Sequence, residues 1–587
     1  MVGAFVVLGA RVVQVQGLAA DRYAEVGESQ RVAEVILPAY RGAIFDRNGH
    51  DLALTIRQSS VVANPRMVPD PMAAAAALAP VLDMDAEDVR DRLTRDQAFV
   101  YLARTVDDPV AEQVRKLGVP GVELRPEPER FLPAGALALP LLGKVGRDHT
   151  GLSGLEIQFD EALAGQPGEV VVERDRQGRE IPGGVRRLDP ADRGDDLVLT
   201  IDRSIQHEAE RSLAAAITSS NAKGGMAIVM ETATGEVLAL ANLVAPADGG
   251  APVQATKNSA LTDVFEPGSV NKVITISGAL EDGVVAADDT MVVPDTIRVA
   301  DKVFSEHDPH PPVRWSITDI MANSSNVGSI MIGRSLGKER IDHYLRSFGF
   351  GSRTGLGFPG ESGGILLDPK KWSGTSIGTV PIGQGVAVTG MQMLAAYNAV
   401  ANGGVYVAPS LVRATVDGEG RRRATAPAAR RTVVSAGTAQ QVTAMLSEVV
   451  RVGTGTEAAV EGYTVAGKTG TARKPKVGAR GYEEGAYVAS FAGFVPAEKP
   501  ALAVIVILDE PTPIFGGVVA APVFAQVAGY ALRILKVPPP PARTPLATAT
   551  GVVPEASPAS ARSVGEVGDG AGPTTTIAPS RPPQPTP

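Results

Sequence analysis

Residues 225–242 (GMAIVMETATGEVLALAN) carry two apolar runs on either side of Thr234-Gly235, a pattern that reads as a β-hairpin. A hairpin of this apolarity needs further strands to cover it, and none follows at once. The next comparable runs are residues 487–496 (YVASFAGFVP) and 501–511 (ALAVIVILDEP), followed by a closing helix pattern at 520–535. Between hairpin and late strands lies a long, mostly helical middle. In front of the hairpin, residues 196–220 read as a strand ending at Thr200-Ile201, with Asp202 as the N-cap of a helix. The order helix, hairpin, helical insertion, strands, helix specifies an antiparallel sheet with helices packed on it, an α+β domain.

That domain does not use the whole chain. The 587 residues exceed one compact core, so two folded domains with tails are expected. Residues 37–54 read as two extended runs joined by a turn at Asp46-Arg47-Asn48-Gly49, and 71–82 and 86–96 read as helices. Residues 120–195 are rich in Gly, Pro and charge and are expected to form a loop-rich, elongated module, with a short helix in 151–165. Residues 1–20 open with an apolar stretch that Arg11 interrupts. A membrane span needs about 20 apolar residues, and a signal peptide needs a basic start. The stretch is read as the outer half of a membrane anchor whose inner half lies outside this sequence. Residues 537–587 are dominated by Pro, Ala, Thr and Ser and are expected to be disordered.

The net charge of −9 argues against nucleic acid as a partner, because phosphate binding needs a basic face. There is no cysteine, so thiol chemistry, zinc–thiolate sites and disulfides are out, and covalent catalysis would fall to Ser, Thr, Lys or a carboxylate.

A serine three residues ahead of a lysine occurs at Ser220/Lys223, Ser269/Lys272 and Ser335/Lys338. The last pair, with Gly337 between its members, reads as a solvated helix end. The first lies where a helix dissolves into a glycine turn and also reads as solvated. Ser269 and Lys272 differ. Pro267 and Gly268 break the chain before Ser269, and residues 273–280 (VITISGAL) are apolar enough to be buried on most faces. Positions i and i+3 share a helix face, and burial at a positive helix start lowers a lysine's pKa, so a neutral amine could take the serine proton. Downstream stand Ser324-Ser325-Asn326 and Lys468-Thr469-Gly470-Thr471. This ordered set is the known signature of penicillin-binding proteins and class A β-lactamases. Each residue type has a task. Ser269 would attack a carbonyl with Lys272 as base. Ser324 would relay a proton to the leaving amine, and Asn326 would hold the substrate amide. Lys468 with the hydroxyls of Thr469 and Thr471 suits a carboxylate, and Gly470 permits close backbone approach. The backbone N–H groups of Ser269 and Thr471 would form the oxyanion hole.

From here the chain resembles the class B penicillin-binding proteins, and within them the division-specific FtsI type. Besides the three motifs, RGAIFDRNGHDLA, GLSGLE with LAGQPG, TIDRSIQ, FEPGSVNK, PIGQGVAVTGMQMLAAYNAVANGG, GYTVAGKTGTA, SFAGFVP and FGGVVAAPVF look like family blocks in family order. The resemblance covers roughly residues 11–536. It implies a pedestal (dimerisation) domain at 21–195 and a transpeptidase domain at 196–536 with an antiparallel five-stranded sheet flanked by helices. It also implies a D-Ala-D-Ala stem-peptide substrate, a Ser269 acyl-enzyme passed to an amine, β-lactams as acylating ligands and no cofactor or metal. A single-pass membrane protein with an extracytoplasmic catalytic domain follows from the same likeness. So do divisome partners such as a SEDS-type glycosyltransferase. The segment Thr379-Val380-Pro381 ahead of Gly383-Gln384-Gly385 departs from the usual pattern. A class A β-lactamase would need a deacylating glutamate in E-x-x-L-N, and no such segment exists. A bifunctional class A protein would need a glycosyltransferase domain that residues before 196 do not resemble. A non-enzymatic penicillin sensor or divisome scaffold is the alternative. His307 and His310 are spaced H-x-x-H in a proline-rich loop without a third ligand, and residues 421–431 read as a solvated hairpin loop.

Overall fold

The hairpin around Thr234-Gly235 forms, with Gly224–Glu231 and Val237–Val244 paired antiparallel. The computed structural model describes residues 2–18, 21, 31–175, 180–476, 478–479 and 481–540. The expected tail therefore lies outside the described residues from 541 onward. Leu502–Asp509 pairs with Gly224–Glu231 on one side and Tyr482–Val495 on the other, and Ala466–Pro475 forms the edge. The two-residue strand Val253–Gln254 closes the opposite edge, so the five long strands expected are joined by a stub to make six. Both faces are covered. Arg203–Ser219 and Ala521–Ile534 pack on one face. On the other lies Gly390–Ala401, all twelve of whose residues are buried. Asp202 caps the first of these helices as expected, accepting from the N–H of Ser204 and Ile205.

The middle is less helical than its composition implies. Thr290–Val293 pairs with Val313–Ser316, Thr296–Val299 with Lys302–Ser305, and Val405–Val407 with Arg430–Thr432. Strands of three or four residues are too short to show a period in sequence. Residues 421–431 are exposed, but they are not one hairpin: Arg422–Ala424 joins Val412–Val416, whereas Arg430–Thr432 joins Val405–Val407.

In the N-terminal part, Ile44–Phe45 and Asp51–Ala63 flank the expected turn. Asp51–Ala63 also pairs with Val100–Val106 and with Val122–Phe131, and helices Pro71–Leu82, Ala86–Leu93 and Asp108–Leu117 surround this sheet. Residues 120–195 hold more strand than their Gly/Pro content implies, because Gly168–Arg174 pairs with both Val32–Leu37 and Glu180–Asp189. The helix read in 151–165 is two short ones, Gly154–Gln158 and Asp160–Ala164. Asp196–Leu199 pairs parallel with Ile44–Phe45 and antiparallel with Val412–Val416, so one sheet runs from the N-terminal part into the C-terminal part. Val2–Val13 is a helix with no buried residue. Among the described residues, one helical stretch is long and apolar enough to cross a membrane, Gly516–Ile534, and half of it is buried in the protein.

Beneath this shared sheet lies a buried charge cluster. Glu156 accepts from Nε of Arg41 at 2.6 Å and Nε of Arg130 at 2.8 Å, and all three side chains are at least nine-tenths buried. Arg41 also donates to Asp160 and to the carbonyls of His149 and Glu156, and Arg130 to the carbonyl of Gly42. Removing the shared acceptor takes from buried Arg130 its carboxylate and leaves Arg41 with only the partly exposed Asp160. Glu156→Ala is expected to cost about 3–5 kcal/mol, read as a lower urea midpoint. A change within about 0.5 kcal/mol, typical of neutral surface positions, would contradict this account.

Candidate active site

Pro267 and Gly268 end the approach to Ser269 by a tight backbone crossing. Gly268 has φ +58° and its N–H donates to the carbonyl of Gly383 at 3.0 Å. Gly383 has φ +76°, and a Cβ there would lie 2.2 Å from the Gly268 oxygen. Residues Gly268–Asn271 form a single 3-10 turn that leads into the helix Lys272–Glu281, nine of whose ten residues are buried. The wholly buried Tyr397 hydroxyl donates to the carbonyl of Val270 at 3.0 Å, and the Asn271 amide donates to that of Val380 at 2.9 Å. The Glu266 carboxylate accepts from the N–H of Gly385 and the hydroxyl of Tyr482, and burial pushes its pKa up. Ser269 itself is half-buried at the surface of this frame.

Lys272 is 0% exposed. Its amine donates to the carbonyl of Ser324 at 2.5 Å, Oδ1 of Asn326 at 2.8 Å and Oγ of Ser324 at 3.3 Å. The hydrogen bonds of the Lys272 amine thus go to the Ser324/Asn326 turn. Burial lowers the Lys272 pKa from 10.5 to about 7, against the opposing pull of the Glu306 carboxylate. Ser324 sits in the left-handed region at φ +57°, between the helix Ile317–Ala322 and the helix Asn326–Leu336. Ser325 caps the second helix, accepting from the N–H of Gly328 at 2.8 Å.

The edge strand Ala466–Pro475 supplies the third side. A Cβ on Gly470 would meet Ser490 Oγ at 2.3 Å and the Pro267 oxygen at 3.3 Å, which shows how closely this strand passes the Ser269 turn. Lys468 is wholly buried, and its pKa falls well below the ordinary value through burial and through repulsion from Lys272. Its amine lies 3.3 Å from both the carbonyl and Oγ1 of Thr469, whose hydroxyl pairs with that of Thr454 at 2.7 Å. Thr471 is half-buried.

All eight residues singled out in sequence therefore lie around one locus: Ser269 and Lys272 on one turn, Ser324 and Asn326 against Lys272, and 468–471 along the turn's other side. The competing pairs are elsewhere. Ser335 and Lys338 are exposed, as expected. Ser220 is buried rather than solvated, because its hydroxyl donates to the Ala216 carbonyl at 2.6 Å, while Lys223 pairs with Glu510. The His307 ring packs edge-on against Phe515 and that of His310 lies beside Trp315. Glu266, Glu306, Gly383 and Tyr397 escaped the sequence reading. Glu266, Gly383 and Tyr397 stand inside the blocks FEPGSVNK and PIGQGVAVTGMQMLAAYNAVANGG and Glu306 stands beside the histidine pair, but the sequence assigns none of them a role in the site.

Residues 36–199 match the penicillin-binding protein dimerisation domain, and residues 225–529 match the penicillin binding protein transpeptidase domain. This is a class B penicillin-binding protein. It is 36% identical over 554 residues to the penicillin-binding protein PbpB of Mycobacterium tuberculosis, spanning 89% of this chain and 81% of that one. It is 33% identical over 548 residues to the peptidoglycan D,D-transpeptidase FtsI of Escherichia coli, spanning 90% and 89%. Among solved structures it is similar to M. tuberculosis penicillin-binding protein 3 in complex with aztreonam. There the TM-score is 0.68 at 32% identity, over 86% of this chain and 98% of that one.

In this penicillin-binding protein, the crossing at Gly268 and Gly383 leaves no room for a side chain beside the Ser269 turn. Gly383→Ala forces the Ser269 turn to move, and a displacement of about 1 Å costs on the order of 10²-fold in rate. That loss is expected in acylation by a fluorescent penicillin, followed by gel band intensity over time. Wild-type acylation by Gly383→Ala would contradict the role of the crossing.

Proposed function

We propose that this protein is a serine D,D-transpeptidase that cross-links peptidoglycan stem peptides through an acyl-enzyme on Ser269, in septal wall synthesis. The observation that carries the proposal is the Lys272 amine. It is wholly buried three residues after Ser269, bonded to Ser324 and Asn326, and held near neutrality at pH 7. A neutral amine accepts the proton as Ser269 Oγ bonds to the penultimate D-Ala carbonyl carbon. The tetrahedral oxyanion would be held by the N–H groups of Ser269 and Thr471. On collapse the C–N bond breaks, and the leaving D-Ala amine takes a proton through Ser324. An amine of a neighbouring stem then attacks the ester and releases Ser269. A β-lactam would enter by the same first step.

The paired buried lysines support a carboxylate-bearing substrate. Two amines in one dry site suppress each other's charge, as the lowered pKa of Lys468 reflects. A substrate carboxylate beside Lys468, Thr469 and Thr471 relieves that repulsion and draws a proton onto Lys468, so binding and charging reinforce each other. Asn326 would hold the substrate amide. Residues 21–195 would serve as the pedestal, 196–536 as the transpeptidase domain, and the N-terminal apolar helix as part of a single-pass anchor with the catalytic domain outside the cytoplasm. Divisome proteins, including a SEDS-type glycosyltransferase, would be its partners.

Three measurements test this. Intact-mass analysis after penicillin, with peptide mapping, is expected to place one adduct on Ser269 and none on Ser269→Ala; an adduct on Ser220 or Ser335 would overturn the assignment. Cells carrying Ser269→Ala should lose stem cross-links, and unchanged cross-linking would favour the sensor or scaffold reading. The acylation rate should rise with pH through a limb near 7, because Lys272 binds a proton below that value and cannot then act as base. A rate flat between about pH 5.5 and 8.5, well to either side of the Lys272 midpoint, would contradict the role of Lys272.

A further inference from the structure

The turn that faces Lys272 is held from behind by a carboxylate that none of the three motifs contains. Glu306 follows the short strand Lys302–Ser305 and reaches the start of the helix Asn326–Leu336. Its Oε2 accepts from the N–H of Asn326 at 2.8 Å. Its Oε1 accepts from the N–H of Val327 at 3.0 Å and from the hydroxyl of Ser325 at 2.5 Å. All three contacts are donors, so a carboxylate satisfies them where an amide would present N–H to N–H. The same loop is tied a second time, through the Asn326 amide to the Ser305 carbonyl at 3.4 Å. Ser325 cannot cap the helix alone, because its own acceptor is used by Gly328 and the first two helical N–H groups are left to Glu306.

We propose that Glu306 is a positioning residue for acylation, whose carboxylate pins the turn at 324–326 against Lys272 and sets the charge that the buried amine experiences. The inference rests on the reading of Ser269 and Lys272 given above. Ser324 occupies the left-handed region, and its carbonyl and the Asn326 amide oxygen are the two short contacts of Lys272. Holding the backbone N–H of Asn326 from behind fixes where those two oxygens point. The electrostatic consequence has the same origin. Glu306 is the negative group acting on Lys272, and it opposes the lowering that burial imposes. The other charged or titratable neighbours are few. Lys468 is near enough that Lys272 lowers its pKa. His307 follows in the chain with its ring on Phe515, and Asp295 gives its backbone carbonyl to the N–H of Glu306 and its carboxylate to that of His310. Without the carboxylate, the amine loses its proton at lower pH while the turn loses its anchor. A group that only stabilised the fold would change the amount of active protein and leave the pH at which Lys272 titrates alone.

The test is the pH dependence of acylation by a fluorescent penicillin in the full chain, for wild type, Glu306→Gln and Glu306→Ala, with the labelled residue mapped by mass spectrometry. Both variants are expected to acylate about 10–100-fold more slowly at pH 8, the usual effect of removing an outer partner of a functional group. Their acidic limb should move to lower pH than that of wild type. Glu306→Gln keeps the side chain's size, so it carries the test if Glu306→Ala fails to fold. An acidic limb that stays where it is in wild type overturns the inference, whatever the rate, and leaves the Ser269 reading intact. A wild-type chain without label on Ser269 overturns that reading, and the inference with it.

Discussion

The burial of one amine governs this site. An ammonium taken wholly out of water carries a large desolvation cost, and proteins meet it by neutralising the group or by surrounding it with acceptors. Lys272 does both: its pKa falls to about 7, and its amine meets two short acceptors on the turn at 324–326. Much of the surrounding structure keeps this arrangement dry and aligned. The helix Lys272–Glu281 is enclosed on nearly every face, Tyr397 fixes the preceding turn from below, and Gly383 crosses it from the side. Ser269, half-buried, then stands at the surface of this frame.

Under the proposed function, the second buried amine is what would draw a carboxylate into the site. Lys468 is suppressed by burial and by Lys272 together. An anionic substrate would restore its charge, which would favour a ligand that brings a carboxylate and a carbonyl at once. Stem peptides ending in D-Ala and β-lactams share that pair of groups.

Much of this was legible in sequence because it is written in local chemistry. The Pro267-Gly268 break, the apolar run 273–280 and the order of Ser324, Asn326 and Lys468 relative to Ser269 separate the Ser269/Lys272 pair from the other two serine–lysine pairs. The hairpin at Thr234-Gly235, the two late strands and the Asp202 cap were equally local. What escaped notice depends on contacts between distant segments. Glu306 acts on residues twenty positions away, and Gly383 acts on Gly268 through a clash that exists only once both segments are folded. The small hairpins of 290–316 have strands too short for a period. Ser220 looked solvated because a backbone carbonyl one turn back, which no side-chain pattern reports, satisfies its hydroxyl. The strands Gly168–Arg174 and Glu180–Asp189 were hidden by their glycines and charges, and the second of them exposes most of its surface.

The central claim is that burial makes Lys272 a neutral base near physiological pH, and a direct titration tests it. In protein labelled with 13Cε-lysine, the Lys272 resonance, assigned by its loss in Lys272→Met, is followed from pH 5 to 11. The account predicts a midpoint of about 7. A resonance that stays in the ammonium position until it titrates near the ordinary value of 10.5 would contradict it.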